Sequence, residues 1–191
     1  MQHLIVDGAY IKGSLPSILS SFPNITNLAI QGYHTNLDLQ ELSHLIRKLA
    51  VDSSYLFHDK SPIQNLTHLT IHGYKADSSW INWEFLAHLP KLTHINADKA
   101  IQKHVPKLLL LCPFLKLLVV ELFNSYKGLN YLDACLPVDD DRLVLTVGQD
   151  YTDRILDWER GASGGVDLWI NSERIVFARS SEWLVWFPHL N

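Results

Sequence analysis

One pattern of eight residues occurs four times in the chain and indicates its architecture; one copy is Gln64-Asn65-Leu66-Thr67-His68-Leu69-Thr70-Ile71. The other copies are Pro23-Asn24-Ile25-Thr26-Asn27-Leu28-Ala29-Ile30, Pro90-Lys91-Leu92-Thr93-His94-Ile95-Asn96-Ala97 and Pro113-Phe114-Leu115-Lys116-Leu117-Leu118-Val119-Val120. Each copy has apolar residues at three fixed positions, numbered 1, 4 and 6 and represented by Leu66, Leu69 and Ile71 in the first stretch. One residue that enters a core, followed by two that alternate inward, is typical of a strand in a repeat array.

The spacing of the copies supports an array. Two weaker copies lie at His3-Leu4-Ile5-Val6 and at Arg142-Leu143-Val144-Leu145. The position-4 residues are separated by 24 residues from Leu4 to Leu28, 26 from Leu69 to Ile95, 23 from Ile95 to Leu118 and 25 from Leu118 to Leu143. Periods of about 20 to 29 residues are those of leucine-rich repeats. The pattern therefore predicts an α/β solenoid similar to leucine-rich repeats, with a parallel sheet on the concave side and short helices on the convex side.

One interval does not fit, because 41 residues separate Leu28 from Leu69. Apolar residues recur in this interval with the spacing of a helix, at Leu39, Leu42, Leu45, Ile46 and Leu49. Asp38 is placed to cap such a helix, and Glu41 follows three residues later. The sequence predicts a long convex-side helix here. A doubly wound α/β domain is the alternative fold, although it does not require the same apolar pattern four times.

The last quarter of the chain differs from the array. In the helix predicted for Tyr151–Arg160, Tyr151, Ile155 and Trp158 share one face, and Asp153, Arg154, Asp157 and Glu159 are expected to face outward. Gly161 is expected to end this helix. Large aromatic side chains are concentrated in this part of the chain, at Trp158, Trp169, Trp183, Trp186 and Phe187. We therefore expect a single domain over residues 1–191, with the repeat array at 1–150 and a Trp-rich C-terminal helical cap at 151–191.

Composition excludes several classes of protein. With 16 basic and 20 acidic residues, the formal net charge is -4, which argues against a nucleic-acid partner. Two cysteines, Cys112 and Cys135, are too few for a disulfide framework and suggest a reducing, intracellular compartment, cytoplasmic or nuclear. The most apolar stretch, 105–123, contains charged residues and prolines, so no membrane association is expected.

The segment Asp157-Trp158-Glu159-Arg160-Gly161-Ala162-Ser163-Gly164-Gly165-Val166-Asp167-Leu168-Trp169, which follows the repeats, supports a resemblance. It resembles a segment of the F-box and leucine-rich-repeat-like families of mushroom-forming (basidiomycete) fungi. The resemblance implies an intracellular protein-recognition scaffold. In fuller members it is joined to an F-box that docks on a cullin ubiquitin ligase adaptor. No F-box-like pattern precedes the first repeat in this chain, which argues against binding of a cullin adaptor.

The residues that alternate with the inward leucines predict the site. Strand alternation places the following side chains on the concave face: His68, Thr70, His72, His94, Asn96, Asp98, Leu117, Val119 and Glu121. If the strands are in register, His68 lies beside His94 and His72 beside Asp98. We expect a solvated polar face that binds a protein partner without catalysis and without a cofactor.

A metal site is not predicted on this face. Although His68, His72 and His94 are metal-capable, four residues along a strand separate His68 from His72 by about 13 Å, too far to chelate one ion.

Two other functions remain open. Gly161-Ala162-Ser163-Gly164-Gly165 matches the Gly-x-Ser-x-Gly pattern of hydrolases, so the chain could be a hydrolase that uses Ser163, or a metal-dependent enzyme that uses the His68/His94 face. The charged helical residues ahead of Ser163 favour a helix end followed by a turn. Asp139-Asp140-Asp141 is interpreted as a solvated turn before the strand at Leu143. The remaining alternative is a degenerate fragment without independent function.

Overall fold

The fold is given by a computed structural model that describes residues 2–7, 19, 21–31, 44–52, 63–73, 79–80, 83–122, 139–148 and 150–180. Its seven strands are β1 (Gln2–Asp7), β2 (Ile25–Gln31), β3 (Lys48–Asp52), β4 (His68–His72), β5 (His94–Asp98), β6 (Leu117–Leu122) and β7 (Leu143–Val147). Its α-helices are α1 (Val105–Leu111), α2 (Tyr151–Ala162) and α3 (Leu168–Ser180). Two 3₁₀ helices cover Glu84–His88 and Lys99–His104.

All seven strands form one parallel sheet, in the order β1-β2-β3-β4-β5-β6-β7. Each connection therefore moves the chain to the adjacent strand, always in the same direction. A doubly wound sheet reverses its strand order near the middle, so this topology agrees with the predicted solenoid-like arrangement. The predicted α/β class with a parallel sheet is confirmed.

A backbone ladder at position 2 of the repeat stacks successive coils. Arg47 N donates to Thr26 O at 2.8 Å, Thr67 N to Arg47 O at 2.8 Å, Thr93 N to Thr67 O at 3.0 Å and Lys116 N to Thr93 O at 2.8 Å. Arg47, Thr67 and Thr93 each donate to the preceding coil and accept from the next, so the backbone groups at the start of the strands are satisfied.

Strand β3 corrects the expectation of a long helix through Leu49. Residues 44–47 form a turn and a bend, and Lys48–Asp52 pair with β2 and β4. Ile46, Leu49 and Val51 occupy positions 1, 4 and 6 of the repeat, and all three are buried. The interval of 41 residues is therefore two coils of 21 and 20 residues. Leu39 and Leu42 lie outside the described residues.

The core lies between the sheet and the connecting segments. Leu28, Leu69, Ile95 and Leu118 form its central row, each with 0% exposure. Burying such a side chain contributes roughly 1.5–3 kcal/mol relative to exposure. The connecting segments supply the opposite wall of this apolar cluster with Trp83, Leu86, Ile101, Val105 and Leu108.

The last coil starts with a charged pair rather than an apolar residue. The guanidinium of Arg142 donates to Asp140 Oδ2 at 2.7 Å and to the carbonyl oxygen of Leu109 at 2.9 Å. Hydrogen bonds from Arg142 lower the pKa of Asp140. Asp140 was expected to be solvated but is half-buried. It orients Arg142, whose guanidinium bonds the Leu109 carbonyl oxygen near the end of α1.

The predicted compartment depends on the cysteines and on whether a helix could cross a membrane. Cys112 is a free, buried thiol whose pKa is raised to about 11 by burial, and Cys135 lies outside the described residues. Among the helices of the described ranges, none has the length and apolarity required to cross a membrane.

Candidate functional site

The register of the sheet brings the predicted site residues together. His68 pairs with His94, Thr70 with Asn96, and Asp98 with Glu121. The predicted neighbours His68 and His94 are therefore confirmed. We define the polar face as the side of the sheet opposite the apolar core, the side predicted to be concave. Its central part comprises the predicted set His68, Thr70, His72, His94, Asn96, Asp98, Leu117, Val119 and Glu121.

The polar face is buried, contrary to the expectation of a solvated surface. Exposure is 6% for His94, 1% for Asn96, 5% for Asp98 and 2% for Glu121. Helices α2 and α3 lie across this side of the sheet, where Trp169 forms a second apolar cluster with Leu117, Val119 and Val144. The covering unit is named the α2–α3 hairpin.

The C-terminal helices thus cover a face of the sheet, whereas the sequence suggested that they cap the array. Trp183, Trp186 and Phe187, the other aromatic residues predicted for that cap, lie outside the described residues. Trp158 and Trp169 both line the space between hairpin and sheet. The covering follows from the sheet itself, because Leu117 and Val119 place apolar side chains on the face opposite the core and need a partner layer.

The segment Asp157–Trp169 builds the tight turn of the hairpin. Asp157 Oδ2 accepts a hydrogen bond from the Leu168 backbone N–H at 3.0 Å, and Asp167 Oδ1 accepts from the Ile170 N–H at 2.9 Å, which caps α3. A side chain at Gly161 would place its Cβ only 2.3 Å from Asp167 Oδ2. Gly161 is therefore required for the close approach of the two helix ends.

The second half of the turn also needs glycine. Gly164 has φ +77°, the left-handed conformation that commonly follows a helix. Helix α2 continues to Ala162, so the predicted stop at Gly161 is one residue early. Ser163 is the C-cap, and its Oγ donates to the Glu159 carbonyl oxygen at 3.0 Å.

Helix α2 also turns two charged residues toward the sheet, although both were expected to face outward. Arg154 donates to Glu121 Oε2 at 2.9 Å, and Asp157 holds the hairpin as described above. Glu121 Oε1 accepts from Asn96 Nδ2 at 2.7 Å. These bonds connect β5, β6 and α2 through the buried carboxylate of Glu121. It lies between the amide of Asn96 and the guanidinium of Arg154.

An aromatic cluster lies at the opposite end of the same strands. The rings of His68 and His94 stack with centroids 4.1 Å apart and planes inclined by 3°. The Trp169 indole meets both rings edge-on, at 5.2 Å from His68 and 5.7 Å from His94. Edge-to-face packing is favourable for aromatic rings, so one indole packs beside both rings of the stacked pair.

Hydrogen bonds orient the His94 ring. Its Nδ1 lies 2.7 Å from Thr93 Oγ1, and its Nε2 lies 2.9 Å from Glu173 Oε1 of α3. Thr93 Oγ1 also lies 3.1 Å from the Thr67 carbonyl oxygen. The contact between Thr93 Oγ1 and His94 Nδ1 is the shorter of the two that the hydroxyl makes. It fits a neutral His94 whose Nδ1 accepts from the threonine hydroxyl and whose Nε2 donates to Glu173. Thr67 and His68 repeat this arrangement one coil earlier, at 2.9 Å.

Burial keeps the histidines of this face neutral at pH 7. Desolvation lowers the pKa of His68 to about 3, with smaller contributions from His94 and Lys48. Desolvation also lowers the pKa of His72 to about 4 and lowers the pKa of His94, against the opposing effect of Glu173. The site therefore resists protonation as long as the hairpin covers it.

A cavity remains between the hairpin and the middle of the polar face. Its volume is about 30 Å³, room for roughly one water molecule, and it is partly open to solvent. Its lining includes Ala29, Ala50, Thr70, His72, Asn96, Glu121, Arg154, Asp157, Trp158, Leu168 and Trp169. Within the described part of the chain, Asn96 Oδ1 and Trp158 Nε1 are buried without a hydrogen-bond partner.

The geometry bears on the enzyme alternatives as well. Ser163 lies in the exposed turn, and its hydroxyl is bonded to a backbone carbonyl rather than to a histidine. Among the described residues, no group of three or more histidine, cysteine, aspartate or glutamate side chains is arranged to hold a metal ion. The stacked histidines and Glu173 instead act as hydrogen-bonding and packing groups.

Four residues of the site were not among the predicted ones: Arg154, Trp158, Trp169 and Glu173. Each reaches the polar face from the hairpin. The signal for them was the run Leu117-Leu118-Val119-Val120, which is apolar on both faces and predicts cover on both.

Comparisons of the chain with protein-family models, with curated proteins and with solved structures gave no match in any of the three.

Proposed function

We propose that the protein is a non-catalytic recognition scaffold of the leucine-rich-repeat type, and that the α2–α3 hairpin closes its recognition surface, the polar face. The observation that supports this proposal most is the chemistry under the hairpin. Asn96 and Glu121 are buried there, although polar and charged groups rarely fill an interface that serves stability alone. Desolvated polar groups beside a cavity are typical of binding sites.

The hairpin and its contacts support reversible cover. Only Trp169 and Ser172 of α3 are buried, and Glu173, the residue that bonds His94, has a side chain that is 55% exposed. A single hydrogen bond between a neutral histidine and a carboxylate contributes about 1–3 kcal/mol. Helix α3 is held by one buried indole, by the half-buried Leu168 and Val176, and by a few polar contacts, and a competing ligand can displace such a cover.

The resemblance adds a second level to the proposal. In a protein of the F-box type, the recognition face would select the substrate of a ubiquitin ligase, so this chain would act as a receptor-like fragment of such a protein. We place this function inside the cell, with a protein as the partner.

A capture experiment tests the proposal with three full-length chains: wild type, Trp169→Ala, and Trp169→Ala combined with His68→Ala and His94→Ala. The first substitution removes the indole that holds α3 on the sheet, and the other two alter the surface beneath it. We expect a specific protein to be enriched at least about 10-fold on the single variant over wild type, and the enrichment to be lost in the triple variant.

A matched control is Phe177→Ala, because Phe177 is an aromatic residue of the same helix with 71% exposure. This variant should capture the protein as weakly as wild type does. Equal capture by all the chains would place recognition outside the polar face and contradict the proposal.

A further inference from the structure

We infer that the external ligand of the polar face is a helix that carries an aromatic residue and, four positions later, an acidic residue, as α3 does with Trp169 and Glu173. This inference rests on the proposed function, because it takes α3 as the internal occupant of a surface that binds other helices. It specifies the kind of partner that fits.

The aromatic position is defined by the stacked histidines. Their parallel rings, 4.1 Å apart, both lie nearly perpendicular to one indole, whose centroid is within 5.7 Å of each. Leu117, Val119 and Val144 form the apolar wall of the same pocket. A large planar side chain fills this space, whereas an aliphatic side chain would leave the edge-to-face contacts unmade.

The acidic position is defined by charge. Glu173 is four residues after Trp169, one helical turn along the same face, and its Oε1 accepts from His94 Nε2 at 2.9 Å. Lys48 and Lys116 act electrostatically on His94 as positive charges. The rim of the pocket therefore favours a carboxylate over a neutral or basic side chain.

The outer side of α3 takes no part in this contact. Ile175 and Phe177 are exposed, at 42% and 71%. A partner helix is therefore recognised by one face only, and its other positions are free to vary.

The test uses a fluorescent peptide with the sequence Asp167–Ser180 and the full-length chain in two forms, wild type and Trp169→Ala/Glu173→Ala. In the wild type, the tethered α3 competes at an effective concentration in the millimolar range. We expect the labelled peptide to bind the double variant at least about 30-fold more tightly than the wild type, as measured by fluorescence anisotropy.

Peptide variants then test the two positions. Trp169→Ala in the peptide should weaken binding by about 30-fold, Glu173→Gln by about 3-fold, and Phe177→Ala by less than about 2-fold. Equal losses for the tryptophan and phenylalanine peptides, or no binding of any peptide to the opened chain, would overturn the inference. A concentration-dependent dimer of the wild type would identify the hairpin of a second copy as the occupant and would overturn it too.

A chain opened in a second way protects the test against a folding defect. Gly161→Ala disturbs the turn of the hairpin and leaves the sheet and the sequence of α3 unchanged, so it should also bind the peptide more tightly than wild type does. The outcomes separate the two proposals. Capture of a protein that depends on the polar face, together with failure of the peptides, would retain the recognition function and reject only the partner chemistry.

Discussion

The two faces of the sheet are both buried, but they are buried by different chemistry. The core face packs leucine, isoleucine and valine against the connecting segments, and residues such as Leu69 and Leu118 have no exposed surface. The polar face packs histidine, asparagine and carboxylate side chains against the α2–α3 hairpin. The comparison indicates that the core face fixes the fold, whereas the polar face holds a layer that separates from it more easily.

The two faces of the sheet are stabilised by different interactions, apolar burial on the core face and polar contacts on the polar face. Apolar burial contributes about 25 cal/mol for each Å² removed from water. A buried ion pair such as Glu121–Arg154 gives little net stabilisation, because the desolvation of both charges offsets their attraction. Removal of either Glu121 or Arg154 alone is nevertheless strongly destabilising, because the other charge is then left buried without its partner. The polar face is therefore specific in its contacts and modest in its stability.

The largest expected effect is on the core face. Leu69→Ala removes a fully buried side chain at position 4 of a central coil and should lower the free energy of unfolding of the whole domain by about 3–4 kcal/mol. Urea denaturation followed by circular dichroism measures this change. Leu110→Ala is the control, since Leu110 is 79% exposed and its truncation should change stability by less than about 0.5 kcal/mol. Similar losses for both variants would contradict the assignment of the core.

On the polar face, Arg154→Met should destabilise the closed hairpin by about 3 kcal/mol, because it leaves the Glu121 carboxylate buried beside Asn96 without its cation. Hydrogen exchange of the α2 and α3 amides measures the change. Arg154→Met combined with Glu121→Met should recover part of the loss, since neither charge of the pair then remains buried, although Asn96 Nδ2 loses its acceptor. A double variant as unstable as the single one would show that the pair is not coupled.

A smaller effect is expected at the turn of the hairpin. Gly161→Ala brings a Cβ against the carboxylate that caps α3 and should destabilise the hairpin by about 2 kcal/mol, while the strands keep their stability. Exchange rates resolved by residue separate the two regions. Glu159→Ala, at an exposed position of the same helix, should change neither region by more than about 0.5 kcal/mol.

A last expected effect follows from pH and grows as the solution becomes more acidic. Because burial lowers the pKa of His68 to about 3, below the ordinary 6.5, the open form binds a proton that the closed form does not. The closed hairpin therefore has its full stability above pH 6.5, and His68 removes about 1.4 kcal/mol for each pH unit below that value. His72, with its pKa lowered to about 4, acts in the same direction.

Tryptophan fluorescence and exchange between pH 7.5 and 4.5 measure this dependence. His68→Gln is the control, because glutamine does not titrate and should make the dependence shallower. A hairpin that gained stability as the pH fell would contradict the buried neutral state of the histidines.

The repeat pattern predicted most of the fold, because each position-4 residue must enter a shared core. Leu28, Leu69, Ile95 and Leu118 were identified in this way, and all are fully buried. Strand β3 was missed, since Leu42, Leu45 and Leu49 fit a helical period as well as Ile46, Leu49 and Val51 fit the repeat. Short apolar runs often match both periods.

The sequence predicted the residues of the sheet that form the site, but not the hairpin that covers them. Alternation and register placed His68 beside His94, as observed. The hairpin was not anticipated, because the charges of Arg154 and Asp157 indicated a solvent-facing side of α2. Both instead meet partners that lie far away in sequence, Glu121 and the backbone N–H of Leu168. Local periodicity carries no information about such distant partners.

Native-state hydrogen exchange of the full-length chain, resolved by residue, tests the separation of the two layers most directly. We expect the amides of α2 and α3 to exchange through an opening whose free energy is several kcal/mol below that of strands β2 to β6, and the gap to widen as the pH falls from 7 to 5. A single free energy of opening shared by hairpin and strands at both pH values would contradict a separable cover.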